Sequence, residues 1–413
     1  MKDARALLSL DDALARLVAG AQSHRILQAE TVDTFDALGR VLAADLHSLL
    51  DVPPADNTAM DGYALRAADV PAAGTVLAVA QRIPAGHVGT ALQPGTAARI
   101  FTGGQLPAGA DAVVMQEQCE ALASDAGGDL GRVRVNTLPQ PGHWIRLRGE
   151  DVRRGATVLA AGARLTPQAL GLAATVGAAT LAVWRRPRVA LFSTGDELVM
   201  PGQPLPPGAI YNSNRYMLRG LLQAAGCEVQ DLGIVPDRLD ATRDALRRAA
   251  AASDLILTSG GVSVGEEDHL RPAVQAEGTL DLWQIAMKPG KPLAFGRVGD
   301  ALFVGLPGNP VSSFVTFVLA VAPVLRALQG MATVAPPPLW LRADFDLPQP
   351  DRRREFLRAR INAEGGLELF ANQSSGVLTS TVWADGLVDN PAGLAIVRGD
   401  RVRFLPLGAL VGR

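Results

Sequence analysis

Two apolar runs in the middle of this chain each end in a glycine-rich turn. Asp254-Leu-Ile-Leu-Thr258 leads into Ser259-Gly-Gly-Val-Ser-Val-Gly265, and Leu302-Phe-Val-Gly305 leads into Leu306-Pro-Gly-Asn-Pro310. A continuous apolar run of strand length fits a strand buried on both faces, as in a parallel sheet with helices above and below. Bare glycine after such a strand, with a helix to follow, presents backbone N–H groups to an anion, usually a phosphate. An α/β domain that holds a phosphorylated ligand is therefore the first expectation.

The flanking sequence extends that domain. Val189-Ala-Leu-Phe192 is a third apolar run, ending at Ser193-Thr-Gly195. Helical patterns near 214–225 and 238–252 alternate with strand patterns at 228–232 and 255–257. Such alternation implies a mainly parallel sheet with right-handed crossovers. Ligands of such sheets sit beyond the carboxyl ends of the strands. The loops at Ser193, Thr194, Ser259 and Pro307 are expected to share one edge, with Gly260, Gly261, Ser263, Gly265, Gly308 and Asn309 forming the cradle.

Charged residues accompany these loops. Lys288-Pro-Gly-Lys-Pro292 sets Lys288 and Lys291 in a proline-stiffened turn, which reads as an anion seat; solvated turn lysines are the plainer alternative. Glu266, Glu267 and Asp268 follow the Ser259–Gly265 loop, where acids favour a helix dipole or supply hard oxygen ligands beside a phosphate. Glu197 and Asp237 follow two other strands and would reach the same edge. These carboxylates suit magnesium. Ser312, just inside the helix that Asn309-Pro310 opens, could cap or bind an oxyanion.

Outside this region the texture changes. Ser9 and Asp12 have capping-box spacing before Leu14, Leu17 and Val18, which predicts a short N-terminal helix. From about 52 to 135 short apolar runs alternate with Gly/Pro turns, which reads as a mainly β domain. The uncharged stretch from Leu165 to Trp184 opens with Thr166-Pro167, an N-cap and first-turn proline, and reads as a buried helix rather than a membrane span. The apolar run Phe314 to Leu325 is interrupted by Thr316 and Pro323 and is read as too short to span a bilayer. After Ala335-Pro-Pro-Pro338, short alternating segments suggest a small β domain.

Composition limits the function classes. With 413 residues and 48% apolar content, several cores can form. The 39 basic and 41 acidic residues nearly cancel, so no nucleic-acid partner is expected. Cys119 and Cys227 alone give neither a disulfide framework nor zinc spacing, and the N-terminal residues lack the apolar core of a signal peptide; a cytoplasmic protein with no membrane association is expected. His87, His143 and His269 have no metal-ligand spacing.

Taken together, Asp56-Asn-Thr-Ala-Met-Asp-Gly-Tyr63, Arg99-Ile-Phe-Thr-Gly103, Ala112-Val-Val-Met-Gln-Glu117, Arg148-Gly-Glu-Asp151, Phe192-Ser-Thr-Gly-Asp-Glu-Leu198 and the three loops above resemble the molybdopterin molybdenumtransferase family, of MoeA type and including the C-terminal part of gephyrin. The resemblance covers about residues 8–330. It implies a discontinuous helical linker domain (1–30 and 150–186), an inserted mainly-β domain (31–149), an α/β molybdopterin-binding domain (187–333) and a C-terminal β-barrel (334–413). It also implies a homodimer whose cleft lies between the α/β domain of one subunit and the first β domain of the other.

The implied reaction transfers molybdate to adenylylated molybdopterin with magnesium-dependent release of AMP. By resemblance, Asp61, Asp151, Glu197, Asp237, Asp268, Lys288 and Lys291 carry the chemistry. Glu197, Asp237 and Asp268 are the metal candidates, and Thr102, Ser312, Arg358 and Ser375 are substrate contacts. A separate molybdopterin adenylyltransferase is expected to supply the substrate. Ala55 and Gln284 depart from relatives that carry an aromatic and a basic residue there. The alternatives are the related adenylyltransferase activity and a scaffold role.

Overall fold

The computed structural model describes residues 7–123, 130–261 and 269–411. Its centre is a six-stranded sheet in the order Glu228–Val235, Arg188–Thr194, Leu255–Ser259, Ala301–Leu306, Pro292–Val298, Gly278–Gln284. The first four strands run parallel. Every residue of Leu255–Ser259 and of Ala301–Leu306 is buried, as their unbroken apolar sequence requires.

Side-chain alternation divides the core in two. Val189, Leu191, Leu255, Leu257 and Val304 face one layer, where Leu218 and Leu222 of the helix Ser213–Ala224 pack. Ala190, Phe192, Ile256 and Phe303 face the other, against Ala245, Leu246 and Ala249 of Leu239–Ala250 and Ala273 and Val274 of Leu270–Glu277.

The last two strands are antiparallel to their neighbours, a feature the βα alternation did not foretell. The chain between Gln284 and Pro292 is too short for a helical crossover, so the second strand can only return as a hairpin. That hairpin loop contains Lys288 and Lys291.

The segment 310–328 forms one nearly unbroken helical rod: Pro310–Thr316, a π turn at Phe317–Val321, and Ala322–Leu328. Thr316 and Pro323 do not end it. Pro323 sits in the first turn of its α segment, directly after the π turn, where the wider ladder accommodates a missing N–H. The rod is long and apolar enough to cross a membrane by length and composition, but 94% of it is buried inside the protein.

The N-terminal helix Leu10–Ser23 is capped by Ser9, whose hydroxyl accepts from the Asp12 N–H at 3.1 Å. Its stripe of Leu10, Ala13, Leu17 and Ala21 joins the core around that rod. Gly20 lets the helix approach Phe295, whose ring would lie 2.9 Å from any added Cβ. The helix therefore packs on the α/β unit and not on the helix near residue 170.

The discontinuous segments expected to form a helical linker meet mainly through strands. Ala29–Asp33 pairs antiparallel with Thr180–Trp184, and Leu46–His47 pairs with Thr157–Leu159. Thr166 caps a short helix, Pro167–Thr175, by accepting from the Ala169 N–H. The sequence pattern of 165–184 predicts one buried helix, but its second half is the strand Thr180–Trp184. Ala37, Leu42, Leu165, Ala173, Leu181 and Val183 form the local core.

Between these segments lies a six-stranded mixed sheet, ordered Ala112–Met115, Gly62–Leu65, Thr96–Ile100, Thr75–Ile83, Arg132–Val135, Cys119–Leu122. Both of its faces are covered.

The C-terminal region forms a curved sheet of Arg354–Ile361, Gly386–Asn390, Arg401–Pro406 and Leu339–Arg342, with Leu367–Leu369 beside the first. A single bridge from Ala343 to Leu367 brings its ends together around Phe345, Leu357, Val388 and Phe404. This sheet also takes in Met287–Lys288, paired parallel with Arg354 and Glu355.

Candidate active site at the carboxyl edge of the sheet

Three neighbouring strands end in register. Ser193 pairs with Ser259, and Ser259 with Leu306. The Ser193 and Ser259 hydroxyls are 3.2 Å apart, fixing the edge at which the loops depart. Gly260 and Gly261 then take left-handed conformations, φ +88° and +67°. A Cβ on Gly260 would lie 2.8 Å from the Thr194 carbonyl oxygen, and one on Gly261 2.8 Å from the Thr194 hydroxyl. The backbone and the space both demand glycine.

The Pro307–Asn309 loop is held from the side. Asn214 donates its Nδ2 to the Gly308 carbonyl at 2.7 Å, and the Gly260 N–H bonds the Leu306 carbonyl at 3.1 Å. Asn309 occupies the N-cap of the Pro310 helix but makes no side-chain cap bond. Ser312 is buried in the first turn. Around this edge the Thr194 hydroxyl, Asn212 Nδ2 and Asn214 Oδ1 are buried without a hydrogen-bond partner. Buried polar groups normally have one, so this cluster has capacity for a ligand or water.

The two lysines have different surroundings. Lys291 is exposed and makes no ion pair among the described residues. Lys288 Nζ lies 3.1 Å from Glu355 and 3.4 Å from Asp351, both of the C-terminal region. Lys288 is therefore already paired rather than a free cation. Arg353 holds the Asp351 carboxyl well below the ordinary aspartate range, with Lys288 adding to the effect. Gly290, at φ +106°, tucks the turn against Thr316 and Ser312, so the lysine turn and the Pro310 helix form one wall.

The expected carboxylates are distributed as follows. Glu197 is exposed, and its carboxylate folds over Gly195, where a Cβ would stand 2.6 Å from Oε2. Asp237 is half-buried after the adjacent strand. Ser263, Gly265 and Asp268 lie outside the described residues. Among the described residues no three acids, histidines or cysteines converge as a metal cluster.

Arg358 is fully buried and turns inward. Its guanidinium donates to the Ser380 hydroxyl and to the carbonyls of Phe356 and Ser374. Burial lowers its pKa to about 10. Among the described residues it makes no hydrogen bond to the glycine loops; it fixes the segment whose Ser375 carbonyl accepts from the Val311 N–H at 3.0 Å. Ser375 thus meets the site through its backbone.

Asp61, Thr102 and Asp151 lie in and beside the first β domain. One Asp61 carboxylate oxygen accepts both the N–H and the hydroxyl of Thr102, each at 2.7 Å, which lowers its pKa, the backbone bond first. Arg99 lies over the Tyr63 and Phe101 rings, and Arg82 over Phe101. Asp151 is exposed on a loop clasped by Asp51, which accepts from Arg148 Nε and the Arg154 N–H, and by Asp56, which accepts from the Arg148 N–H. No hydrogen bond or ion pair among the described residues links Asp61, Thr102 or Asp151 to the α/β loops.

Sequence reading missed Asn212, Asn214, Asp351 and Glu355. Asn212-Ser-Asn214 before a helix was a visible signal, since asparagine caps helices. Nothing local marks Glu355.

Comparison with known proteins places this geometry. The chain matches the MoeA N-terminal region (domain I and II) over residues 8–177, a probable molybdopterin binding domain over 190–327, and the MoeA C-terminal region (domain IV) over 341–407. It is 41% identical to the molybdopterin molybdenumtransferase of Haemophilus influenzae, covering 88% of this chain and 89% of that one. It is 34% identical to that of Bacillus subtilis, over 95% and 92%. A crystal structure of a molybdopterin biosynthesis moeA protein from Pyrococcus horikoshii superposes with a TM-score of 0.80 at 29% identity, covering 97% of this chain and 99% of that one.

Proposed function

The chain belongs to the MoeA-type molybdopterin molybdenumtransferase family, and on that premise we propose that it transfers molybdate to adenylylated molybdopterin with magnesium-dependent release of AMP. It is a transferase of molybdenum cofactor biosynthesis acting in molybdenum insertion.

The observation that carries the finer reading is the edge formed by Thr194, Gly260, Gly261 and Gly308. It combines a backbone shelf, where a Cβ on Gly260 or Gly261 would intrude, with buried polar atoms that lack partners. A shelf of this kind suits the phosphate groups of the substrate. Lys291, exposed and unpaired among the described residues, neutralises phosphate or molybdate charge as it develops, and Ser312 supplies a nearby hydroxyl.

Magnesium takes one or two carboxylates and completes its shell with phosphate oxygens and water. Glu197 and Asp237 follow neighbouring parallel strands and fit that donor set, with Asp268 as the third candidate from the sequence. When bound, the ion offsets the charge of the phosphoanhydride that is cleaved. The protein's own part is to orient that group on the glycine shelf and to hold molybdate beside it until molybdenum passes to the dithiolene sulfurs.

Asp61, Thr102 and Asp151 enter this scheme from a second subunit. Their separation from the α/β loops within one chain supports a homodimer with the cleft between subunits. A separate molybdopterin adenylyltransferase hands over the substrate, and the setting is cytoplasmic.

The test is reconstitution. The purified protein is incubated with adenylylated molybdopterin, molybdate and magnesium, and the product is offered to a molybdenum-free apo-molybdoenzyme. Activation only when this chain and molybdate are both present supports the reading. Equal activation without the chain contradicts it.

A further inference from the structure

The lysine turn and the C-terminal sheet are one structure. Met287 and Lys288 pair in register with Arg354 and Glu355. The Arg354 N–H reaches the Ala286 carbonyl at 3.1 Å. Glu355 is buried, with a side chain only 4% exposed. One of its oxygens accepts the Asp351 N–H at 2.9 Å and the other lies 3.1 Å from Lys288 Nζ. Among the described residues Lys288 is its only ion-pair partner. Asp351, in contrast, is gripped by both Nε and Nη2 of Arg353 at 3.0 Å.

A carboxylate that is buried and also pinned by a backbone N–H cannot swing aside for an incoming anion. It can only act as a fixed post. An ammonium group has three donors. With Glu355 and Asp351 each facing one, the third remains, and the half-exposed Lys288 side chain presents it to solvent.

We propose that Glu355 is a positioning residue for the oxyanion: it fixes the direction in which Lys288 offers its remaining N–H. The inference rests on the reading of this edge as the molybdate and pterin site. It gives the C-terminal region a part in the chemistry through a residue that never touches substrate.

The test compares wild type, Glu355→Gln, Lys288→Met and the double variant. Molybdate dissociation constants come from titration calorimetry, and KM and kcat from molybdate-dependent transfer. Glu355→Gln should raise both the molybdate Kd and KM on the order of tenfold, with kcat and the Kd for adenylylated molybdopterin within about twofold. In the Lys288→Met background, Glu355→Gln should add nothing, because its effect passes through the lysine.

A Glu355→Gln protein that only loses thermal stability, with molybdate binding unchanged, overturns the proposal. So does a defect that multiplies in full on top of Lys288→Met. Should Glu355→Gln alone fail to fold, the double variant removes both charges together, and its comparison with Lys288→Met decides the question. Wild type that binds molybdate but does not transfer it would sink the functional reading while the calorimetric comparison still judges Glu355. Wild type that does not bind molybdate overturns both.

Discussion

Thr102 donates its backbone N–H and its hydroxyl to the same carboxylate oxygen of Asp61, each at 2.7 Å. The two residues are far apart in sequence, and the pair locks the end of the strand Thr96–Ile100 to the turn before Gly62–Leu65. Asp61 is thereby kept ionised and aimed. That is what a carboxylate contributed to a neighbouring subunit's cleft would need.

Replacing Thr102 with valine removes the hydroxyl bond but keeps the backbone bond, which is the larger cause of the shift. The Asp61 pKa should rise yet stay below the ordinary aspartate value. A depressed carboxyl pKa stabilises the folded state above the unfolded-state value. That contribution is lost as pH falls through the folded value. The Thr102→Val protein should therefore gain less stability across this acid window than wild type. A carboxyl-carbon NMR titration reads the pKa directly, and an unmoved value would remove the hydroxyl from the account.

Gly260→Ala should be costlier than Gly103→Ala. Both glycines have left-handed φ, +88° and +78°, so both substitutions carry a strain of about 1–2 kcal/mol. Only at Gly260 would the new methyl also meet a backbone oxygen, at 2.8 Å; at Gly103 nothing lies within 4 Å. Urea unfolding should rank them accordingly, and Gly260→Ala should lose pterin binding. Equal losses would mean that the shelf yields easily.

Asn214→Ala should lower stability by about 1 kcal/mol by freeing the Gly308 carbonyl. It should also weaken adenylylated molybdopterin binding as the Pro307–Asn309 loop loosens. Asn214→Asp should be worse, since an ionised side chain offers no donor and faces that carbonyl. Affinity measured beside the thermal midpoint separates loop placement from folding. Full affinity in Asn214→Ala would dismiss the strut.

Both thiols should be inert in the native protein. Burial pushes Cys119 up to about 11 and Cys227 up to about 12. The thiolate is the reactive form, so little of either is present at pH 8. Ellman's reagent should react slowly under native conditions and count two thiols in guanidinium. A rapid native reaction of both thiols would contradict the burial of Cys227.

The α/β centre was legible because strands buried on both faces read as unbroken apolar runs, and because glycine after them marks a tight strand-to-helix turn, whether or not it also cradles an anion. The hairpin edge was not, since Asp281 and Gln284 interrupt that run and the antiparallel return depends on loop length. The N-terminal helix showed its apolar stripe, but a stripe says that a face is buried and not against what. The pairing of Lys288 was not legible either. Two lysines around Pro289 and Gly290 look alike in sequence, yet one is paired by Glu355 and Asp351, contributed from beyond the proline break. The inward hydrogen bonds of Arg358 to Ser380, Phe356 and Ser374 had no local signal in the sequence. Asp61, Thr102 and Asp151 are candidates by resemblance alone.

The most direct test of the central claim measures AMP released and molybdenum bound in one reaction. Adenylylated molybdopterin, magnesium and the protein are combined with and without molybdate. The account predicts molybdate-dependent AMP release with one molybdenum retained per AMP. AMP release at the same rate without molybdate, or none while the pterin stays bound, would contradict it.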